Sequence, residues 1–562
     1  LFSRQDMDEE ELVEDIDCLA GLTIAPTFLP YQEKRSIQYS CIFPEQETKL
    51  KSGDSAICIE TEKDISDLCI DEDARIATFK YSVKNEPIPD RFSIGPAKPI
   101  STKVITKAVF RFADSLIAKN YKYKAIESIL AQEIPRIHSH IQGQPIIDES
   151  QETMPQIITA IANLDQSYIF VQGPPGSGKT YTGSHVIVAL LRQGYRVGVS
   201  SNSHKAINNL LQGVEKVATA ENFEFKGVKK SSGGKPDSNL GGKFIADVFT
   251  KDEVFGDYQL IAGTAWLFSD VGLDQYLDFL FVDEAGQVAL ANLVGMATSA
   301  RNIVLLGDQM QLGQPIQGVH PGRSGESSLE YLLNGTPTIP PECGIFLKTT
   351  WRLHPNVCQF ISDAVYDGRL EPEPQNAKQT LLLGANTNPN LIPTGVKFIP
   401  VEHDACSQRS NEEAFLIKEL IESLLHQKYR NKNGAERPLT LDNLLVVAPY
   451  NMQVNLLKQV LPEGTRVGTV DKFQGQEAEV VIISMVTSSG DYLPRFISFL
   501  YSKNRLNVAI SRAKCLALLV ANPALMAIRC SQPKEMALVN TLCWVKDYSA
   551  FLGKIEKQCG II

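Results

Sequence analysis

An apolar run, a glycine-rich loop and a helical stretch follow one another between residues 168 and 192, and this succession constrains the chain more than any other feature. The loop reads GPPGSGKT: Gly173, Pro174, Pro175, Gly176, Ser177, Gly178, Lys179 and Thr180. Residues 168–171 (YIFV) predict a strand and residues 181–192 a helix. That context makes G-x-x-x-x-G-K-[ST] a phosphate-binding loop. Backbone N–H groups of such a loop and the positive end of the following helix surround phosphates. Lys179 is placed to reach the β- and γ-phosphates, and the Thr180 hydroxyl to hold Mg²⁺. A chance match in an ordinary loop is the rival reading. The loop alone leaves kinases, GTPases and motors open.

A chain of 562 residues has room for several domains. Its 43% hydrophobic and 21% charged content is ordinary for a folded protein with real cores. With a formal charge of −10, a nucleic-acid binder must gather its basic residues in a groove. Acidic residues crowd the start, from Asp6 to Asp17, which predicts a solvated helix face or a frayed terminus. Eleven cysteines occur without a C-x-x-C pair, and Cys41, Cys58 and Cys515 lie inside apolar patterns. This predicts buried or free thiols in a reducing compartment. No apolar run reaches 18 residues and no signal-peptide pattern opens the chain, so a soluble, cytoplasmic protein is expected. A start at Leu1 instead of methionine suggests a fragment with a module missing from its front.

Residues 30–90 are β-rich by alternation and predict a small barrel, and Pro87, Pro89 and Pro96 mark a linker after it. From 102 to 134, apolar positions recur at helical spacing (Val104/Ile105, Ala108/Val109, Phe112 and Leu116, then Ile126, Ile129 and Leu130), predicting a helical stalk. Short apolar strands then alternate with helical patterns at 168–172, 196–200, 259–264, 279–283 and 302–307, and again at 396–401, 444–449, 466–470, 480–485 and 516–521. Each set predicts a parallel, helix-covered sheet. The fold class is therefore α/β with two tandem domains, preceded by a β-barrel accessory domain and helices. The expected boundaries are 1–30 for the acidic segment, 31–95 for the barrel, 96–145 for the stalk, 146–345 for the ATP-binding domain and 346–562 for the second α/β domain. The Gly/Ser/Lys stretch 227–242 reads as a flexible surface loop.

The strand ending FLFVDEAGQ delivers Asp283 and Glu284 to the end of the sheet. Phosphoryl transfer to water needs one carboxylate to hold Mg²⁺ and another to orient the water, roles that suit Asp283 and Glu284 respectively. The next strand, NIVLLGDQMQLGQP, brings Asp308 and Gln311 to the same edge, where Gln311 is placed to sense a γ-phosphate.

With these come TWRLHP at 350–355, VAPYNMQ at 447–453, VGTVDKFQGQE at 467–477 and NRLNVAISRAK at 504–514. In order and spacing, the chain from about 150 to 525 resembles superfamily-1 helicases. It is most similar to the 1B group that holds the nonsense-mediated-decay RNA helicase and the Okazaki-fragment helicase–nuclease. Within that group it resembles the helicase half of bacterial proteins carrying an N-terminal RecB-like nuclease. The resemblance implies two RecA-like domains, with Arg352 and Arg512 contacting the γ-phosphate from the second. A planar, permanently charged guanidinium suits charge developing on a transferred phosphoryl group. It also implies Glu477 as the ribose acceptor, Trp351 stacking on adenine where the family has tyrosine, and Gln156 (or Gln151) reading adenine. A buried core tryptophan is the competing reading of Trp351. For the strand, the resemblance implies Ser201, Asn202, Thr264, Pro449, Tyr450, Asn451 and Thr469. Small hydroxyl and amide groups bind phosphates without reading bases. Ser201 and Asn202 also read as a helix N-cap.

The expected activity is that of an ATP- and Mg²⁺-dependent translocase and helicase on single-stranded DNA or RNA, with DNA favoured and the 5′→3′ direction implied by the resemblance. An ATP-gated clamp serving a nuclease or repair complex is the alternative. A small-molecule kinase has no use for the second α/β domain. A nuclease domain or subunit is an expected partner.

Overall fold

The computed structural model describes residues 2–558 apart from 27, 47, 73, 98–100, 234–235, 314–319, 386, 474 and 495–496. Gln474 of the FQGQE motif, Lys235 of the Gly/Ser/Lys stretch, and Gln314 and Pro315 lie outside the described residues. The chain divides into two compact units: residues 1–101 with 450–460, and residues 102–449 with 461–562.

The first unit is built on a barrel of short strands: β1 (Leu19–Ile24), β2 (Tyr31–Glu33), β3 (Ser36–Ile42), β4 (Ala56–Cys58), β5 (Lys63–Asp71), β6 (Ile76–Ser82) and β7 (Arg91–Pro96). The antiparallel order β1-β7-β4-β5-β6-β3 closes through pairing of β1 with β3, and β2 adds to β3 outside the ring. Closure removes the free edges that an open sheet would leave. Alternation points Phe79, Tyr81, Phe92 and Ile94 into a core with Tyr39 and Leu68. The barrel begins before residue 31, because β1 supplies the strand that seals it. The acidic run ahead of β1 is ordered. Asp8 and Glu11 form a capping box on the helix Glu9–Glu14, Leu12 is buried, and Arg4 pairs with Asp15 at 2.6 Å and Asp17 at 3.0 Å. Charge dominates the composition there, so the apolar anchor, Leu12 with Met7 and Val13 packed against its cluster, is easily passed over. The helix Asn451–Val460 belongs to this unit, with Asn455 donating to Glu72 at 3.2 Å.

The second unit holds two α/β lobes. The first is an eight-stranded parallel sheet of β8 (Tyr168–Gln172), β9 (Val197–Ser200), β10 (Gly227–Lys230), β11 (Ile245–Val248), β12 (Leu260–Ala262), β13 (Leu277–Val282), β14 (Ala300–Gly307) and β15 (Gly344–Phe346), in the order β11-β10-β12-β9-β13-β14-β8-β15. The second is a five-stranded parallel sheet of β16 (Gly395–Pro400), β17 (Leu444–Val447), β18 (Val467–Gly468), β19 (Ala478–Ser484) and β20 (Ala513–Ala521), in the order β16-β20-β19-β17-β18. Buried on both faces, strands such as β8, β19 and β20 are near-continuous apolar runs. Two tandem RecA-like sheets are therefore present.

One stretch departs from its composition. Residues 227–230 form β10, between β11 and β12, instead of opening a surface loop. Lys229 is fully buried there; its ammonium donates to Ser231 at 2.9 Å and to the Ser238 carbonyl, with Asp247 at 3.9 Å. Local partners satisfy a charge that the sequence alone assigns to solvent. The helices Lys103–Ile117 and Lys124–Leu130 lie on the first lobe: Arg111 donates to Ser269 and Thr298, and Tyr123 to Asp274 at 2.8 Å. Gly295 permits this approach, since a Cβ there would fall 2.8 Å from Ile105 Cγ2. Among the described residues no helix is long and apolar enough to cross a membrane.

Candidate functional site

The phosphate-binding loop leaves the C-terminal end of β8 and runs into the helix Lys179–Arg192, whose N-cap is Gly178. A loop that must turn its N–H groups inward needs left-handed backbone, and Gly176 (φ +75°) and Gly178 (φ +87°) supply it. The Lys179 ammonium donates to the Gly173 carbonyl at 2.8 Å. The second lobe's leading segment braces the loop from outside. The Trp351 N–H donates to the Gly176 carbonyl (2.9 Å), and the Thr350 hydroxyl donates to the Pro175 carbonyl (3.0 Å). A Cβ at residue 176 would lie 2.7 Å from Arg352 Cβ, so only glycine lets that arginine come so near.

Asp283 and Glu284 follow β13 directly. Asp283 is 6% exposed, and burial followed by the neighbouring Glu284 charge pushes its carboxyl well above the usual range, against the pull of Lys179. Glu284 sits in left-handed backbone (φ 51°) and donates its N–H to Asp283 Oδ1 at 2.9 Å. Across the cleft, Arg512 is 3% exposed. Burial and the nearby Arg352 charge lower its pKa to about 10, while Glu284 and Glu477 act in the opposite direction. Arg352 donates to Glu477 Oε2 at 2.6 Å and to the Ser511 carbonyl at 3.2 Å. Glu477 also meets Lys514 at 3.1 Å. Burial pushes its carboxyl up, but Arg352 and Lys514 outweigh that and hold it below the ordinary range.

Among the described residues, the buried Ser177 hydroxyl of the loop and Nε of Arg512 have no hydrogen-bond partner. Orphaned groups of this kind are rare in folded proteins and fit an anion bound between them. Asp283, buried after β13, and the exposed Thr180 hydroxyl at the end of the loop are the kind of hard-oxygen donors that a magnesium ion takes beside phosphates. The residues present thus fit a nucleotide triphosphate and its metal.

Beside the loop lies a cavity of about 760 Å³, lined by Gly178, Tyr181, Met154, Ile157, Phe346 and Trp351. Its apolar wall suits a flat heterocycle. Trp351 is 54% exposed and borders the cavity, so it is not a core residue. Gln156 does not line the cavity; its amide is occupied by the Asp148 N–H (2.8 Å) and the Asp148 and Glu152 carbonyls (3.0 Å each). Gln151 donates to the Asp148 carboxylate.

The residues expected to touch a strand are divided by the fold. Ser201 is buried, its hydroxyl without a partner among the described residues, and Asn202 is exposed and donates to the Gln287 carbonyl. The helix His204–Ala220 is capped by Ser203, one residue beyond the expected pair. Thr264 borders a second cavity of about 220 Å³ with His204, Lys230 and Trp266. Pro449 and Thr469 are half-buried, following β17 and β18 respectively. Tyr450 is fully buried, so its side chain is a packing group and not a strand contact, and Asn451 donates to the Thr48 carbonyl at 3.4 Å. An aromatic side chain at a strand's end gains more from apolar burial than from the surface.

Motif reading missed a polar cluster behind Gln311. The Gln311 amide donates to Asp308 Oδ2 (2.9 Å), which also accepts from the Tyr366 hydroxyl (2.6 Å). Asn504 and Asn507 of the helix Lys503–Ile510 reach the backbone of Gln309, Met310 and Gln311. The i,i+3 spacing of these asparagines in NRLN places both amides on one helix face and was the available signal. Nothing in the sequence marks Tyr366.

Family models described as AAA domains match residues 148–323 and 325–524. The DNA replication ATP-dependent helicase/nuclease JHS1 of Arabidopsis thaliana is 25% identical over 77% of this chain and 31% of its own length. The DNA polymerase alpha-associated DNA helicase A of Schizosaccharomyces pombe is 26% identical over 61% of this chain and 59% of its own. The regulator of nonsense transcripts 1 homolog of Arabidopsis thaliana is 25% identical over 69% and 33%. The chain thus spans about a third of the length of the first of these relatives.

Proposed function

Because the chain belongs to the superfamily-1 DNA/RNA helicases, we propose that it hydrolyses ATP to move 5′→3′ along single-stranded DNA and to unwind duplexes. The observation that carries this reading is the meeting of Lys179, Asp283 and Glu284 from the first lobe with Arg352 and Arg512 from the second around one loop. Such a site is complete only while the lobes are together, which ties hydrolysis to their relative movement.

Each residue has a distinct task. Loop N–H groups and Lys179 hold the phosphates, and Thr180 and Asp283 hold magnesium. Bound there, magnesium would supply positive charge to offset that of the phosphates. Glu284 orients the attacking water and accepts its proton. Arg512, a buried cation whose Nε has no partner among the described residues, stabilises charge on the transferred group. Arg352 joins it on releasing Glu477, which turns to the ribose. Trp351 stacks on the adenine. Gln311 reads the γ-phosphate, and Gln156 reaches the adenine edge only on giving up Asp148.

Ser201, Asn202, Thr264, Pro449 and Thr469 hold the strand through its backbone. Unwinding must overcome about 1.4 kcal/mol of stacking per base-pair step, so one or a few steps per ATP are feasible. DNA is favoured because several relatives are DNA helicases by name; the direction rests on family likeness. A nuclease partner is proposed from the helicase/nuclease relatives. ATPase rates with matched single-stranded DNA and RNA oligonucleotides test the reading. Stimulation of severalfold or more is expected, larger with DNA, and an unchanged rate at saturating strand would refute a motor. A fluorescent strand-displacement assay separates a helicase from an ATP-gated clamp.

A further inference from the structure

Three fully or almost fully buried polar residues, none of them placed against the nucleotide above, meet behind Gln311. Asp308 is 3% exposed, Asn507 1% and Tyr366 0%. They come from separate elements: Asp308 follows β14 of the first lobe, Tyr366 caps the C-terminus of the helix Pro355–Val365, and Asn507 lies in the helix Lys503–Ile510 of the second lobe.

The Tyr366 hydroxyl donates to Asp308 Oδ2 at 2.6 Å and accepts from the Asn507 amide at 2.9 Å. The same amide donates to the Met310 carbonyl at 2.8 Å, and Asn504, one turn earlier, donates to the Gln309 and Gln311 carbonyls at 2.9 and 2.6 Å. Asp308 Oδ2 also accepts from the Gln311 amide at 2.9 Å. One carboxylate oxygen thus holds both the γ-phosphate sensor and a hydroxyl from the opposite lobe. Packing alone would be served by phenylalanine at 366. The Tyr366 hydroxyl has both of its hydrogen-bonding roles filled, while Asn507 Oδ1 finds no partner among the described residues; filled bonds of this kind hold the groups they join in one arrangement.

We propose that Tyr366 is a positioning residue that makes the 308–311 loop and the helix Lys503–Ile510 move as one body, so that Gln311 and Arg512 arrive at the γ-phosphate together. This rests on the ATPase reading above. Arg512 is two residues beyond that helix. When Gln311 leaves Asp308 for a phosphate oxygen, the Tyr366 hydroxyl keeps Asp308 in place. Asn504 and Asn507 then carry any shift of the loop into the helix. The coupling works through a hydroxyl and two amides, not through contact with substrate.

The test is Tyr366→Phe, which keeps the ring and removes only the oxygen, beside Asn507→Ala and the double variant. Hydrogen exchange of residues 503–512 is measured with ADP and with ADP plus beryllium fluoride, a γ-phosphate mimic. The wild type is expected to gain protection with the mimic, and Tyr366→Phe to lose that gain while ADP affinity and melting temperature hold. In steady state, kcat should fall about tenfold with KM for ATP within twofold. The double variant should be no worse than the poorer single variant. A wild-type gain that survives in Tyr366→Phe, additive losses in the double variant, or no wild-type gain at all would overturn the proposal. A wild type that shows the gain but hydrolyses no ATP would refute the ATPase reading and leave this coupling standing.

Discussion

Arg352 donates to Glu477 at 2.6 Å, and the expected roles of the two residues compete for that contact. One is to meet a γ-phosphate and the other a ribose hydroxyl. Seating the ribose therefore frees the arginine. Glu477→Ala removes the ribose acceptor and releases Arg352 prematurely. KM for ATP should rise about 10- to 100-fold, the range for one charged hydrogen bond, and any preference for ATP over 2′- or 3′-deoxy-ATP should vanish. Steady-state kinetics with the three nucleotides check this.

Arg512→Ala should lower turnover about 10³- to 10⁵-fold, as loss of an arginine finger does elsewhere. Arg512→Lys should recover little, because a compact ammonium lacks the planar fork. Lys179→Ala should also abolish turnover. Strand binding without nucleotide, followed by fluorescence anisotropy, should persist in all three. Full ATPase activity in any of them would reject the site.

Trp351→Ala should raise KM for ATP with little change in kcat, and Trp351→Tyr should restore it, since the exposed ring offers a stacking face. Competition by adenosine alone gives an independent reading of the cavity.

Gly176→Ala places a Cβ 2.7 Å from that of Arg352, in left-handed backbone that costs an L-residue about 1–2 kcal/mol. Both the melting temperature and the ATPase rate should fall. A stable, active variant would show that the loop and the Arg352 segment are not held in this contact.

His354 caps the helix Pro355–Val365, with Nδ1 accepting from the Asn356 N–H at 3.0 Å. Burial lowers its pKa from 6.5 to about 4. Between those values the unfolded chain binds a proton and the folded chain does not, so this contribution is complete above pH 6.5 and is lost as pH falls towards 4. The loss is at most about 3 kcal/mol. His354→Asn keeps a capping oxygen without titrating and should flatten the melting-temperature profile over that interval.

The sequence determined what repeats or stands in fixed local order: strand β8 and its glycine loop, the carboxylates after β13, and the alternating sheets. Periodicity and short-range spacing carry such information because neighbouring residues share one element. It failed where the deciding partners lie outside the element itself. The lysine-rich opening of the 227–242 stretch became a central strand because Ser231, Ser238 and Asp247 satisfy Lys229, and Tyr450 went to a core instead of a groove. The Tyr366–Asp308 contact joins residues 58 positions apart, and Arg352 and Glu477 are 125 apart. The first pairing exists only once two sheets have packed and the second only once the rear lobe has folded, since nothing local tells a buried hydroxyl which carboxylate it will meet.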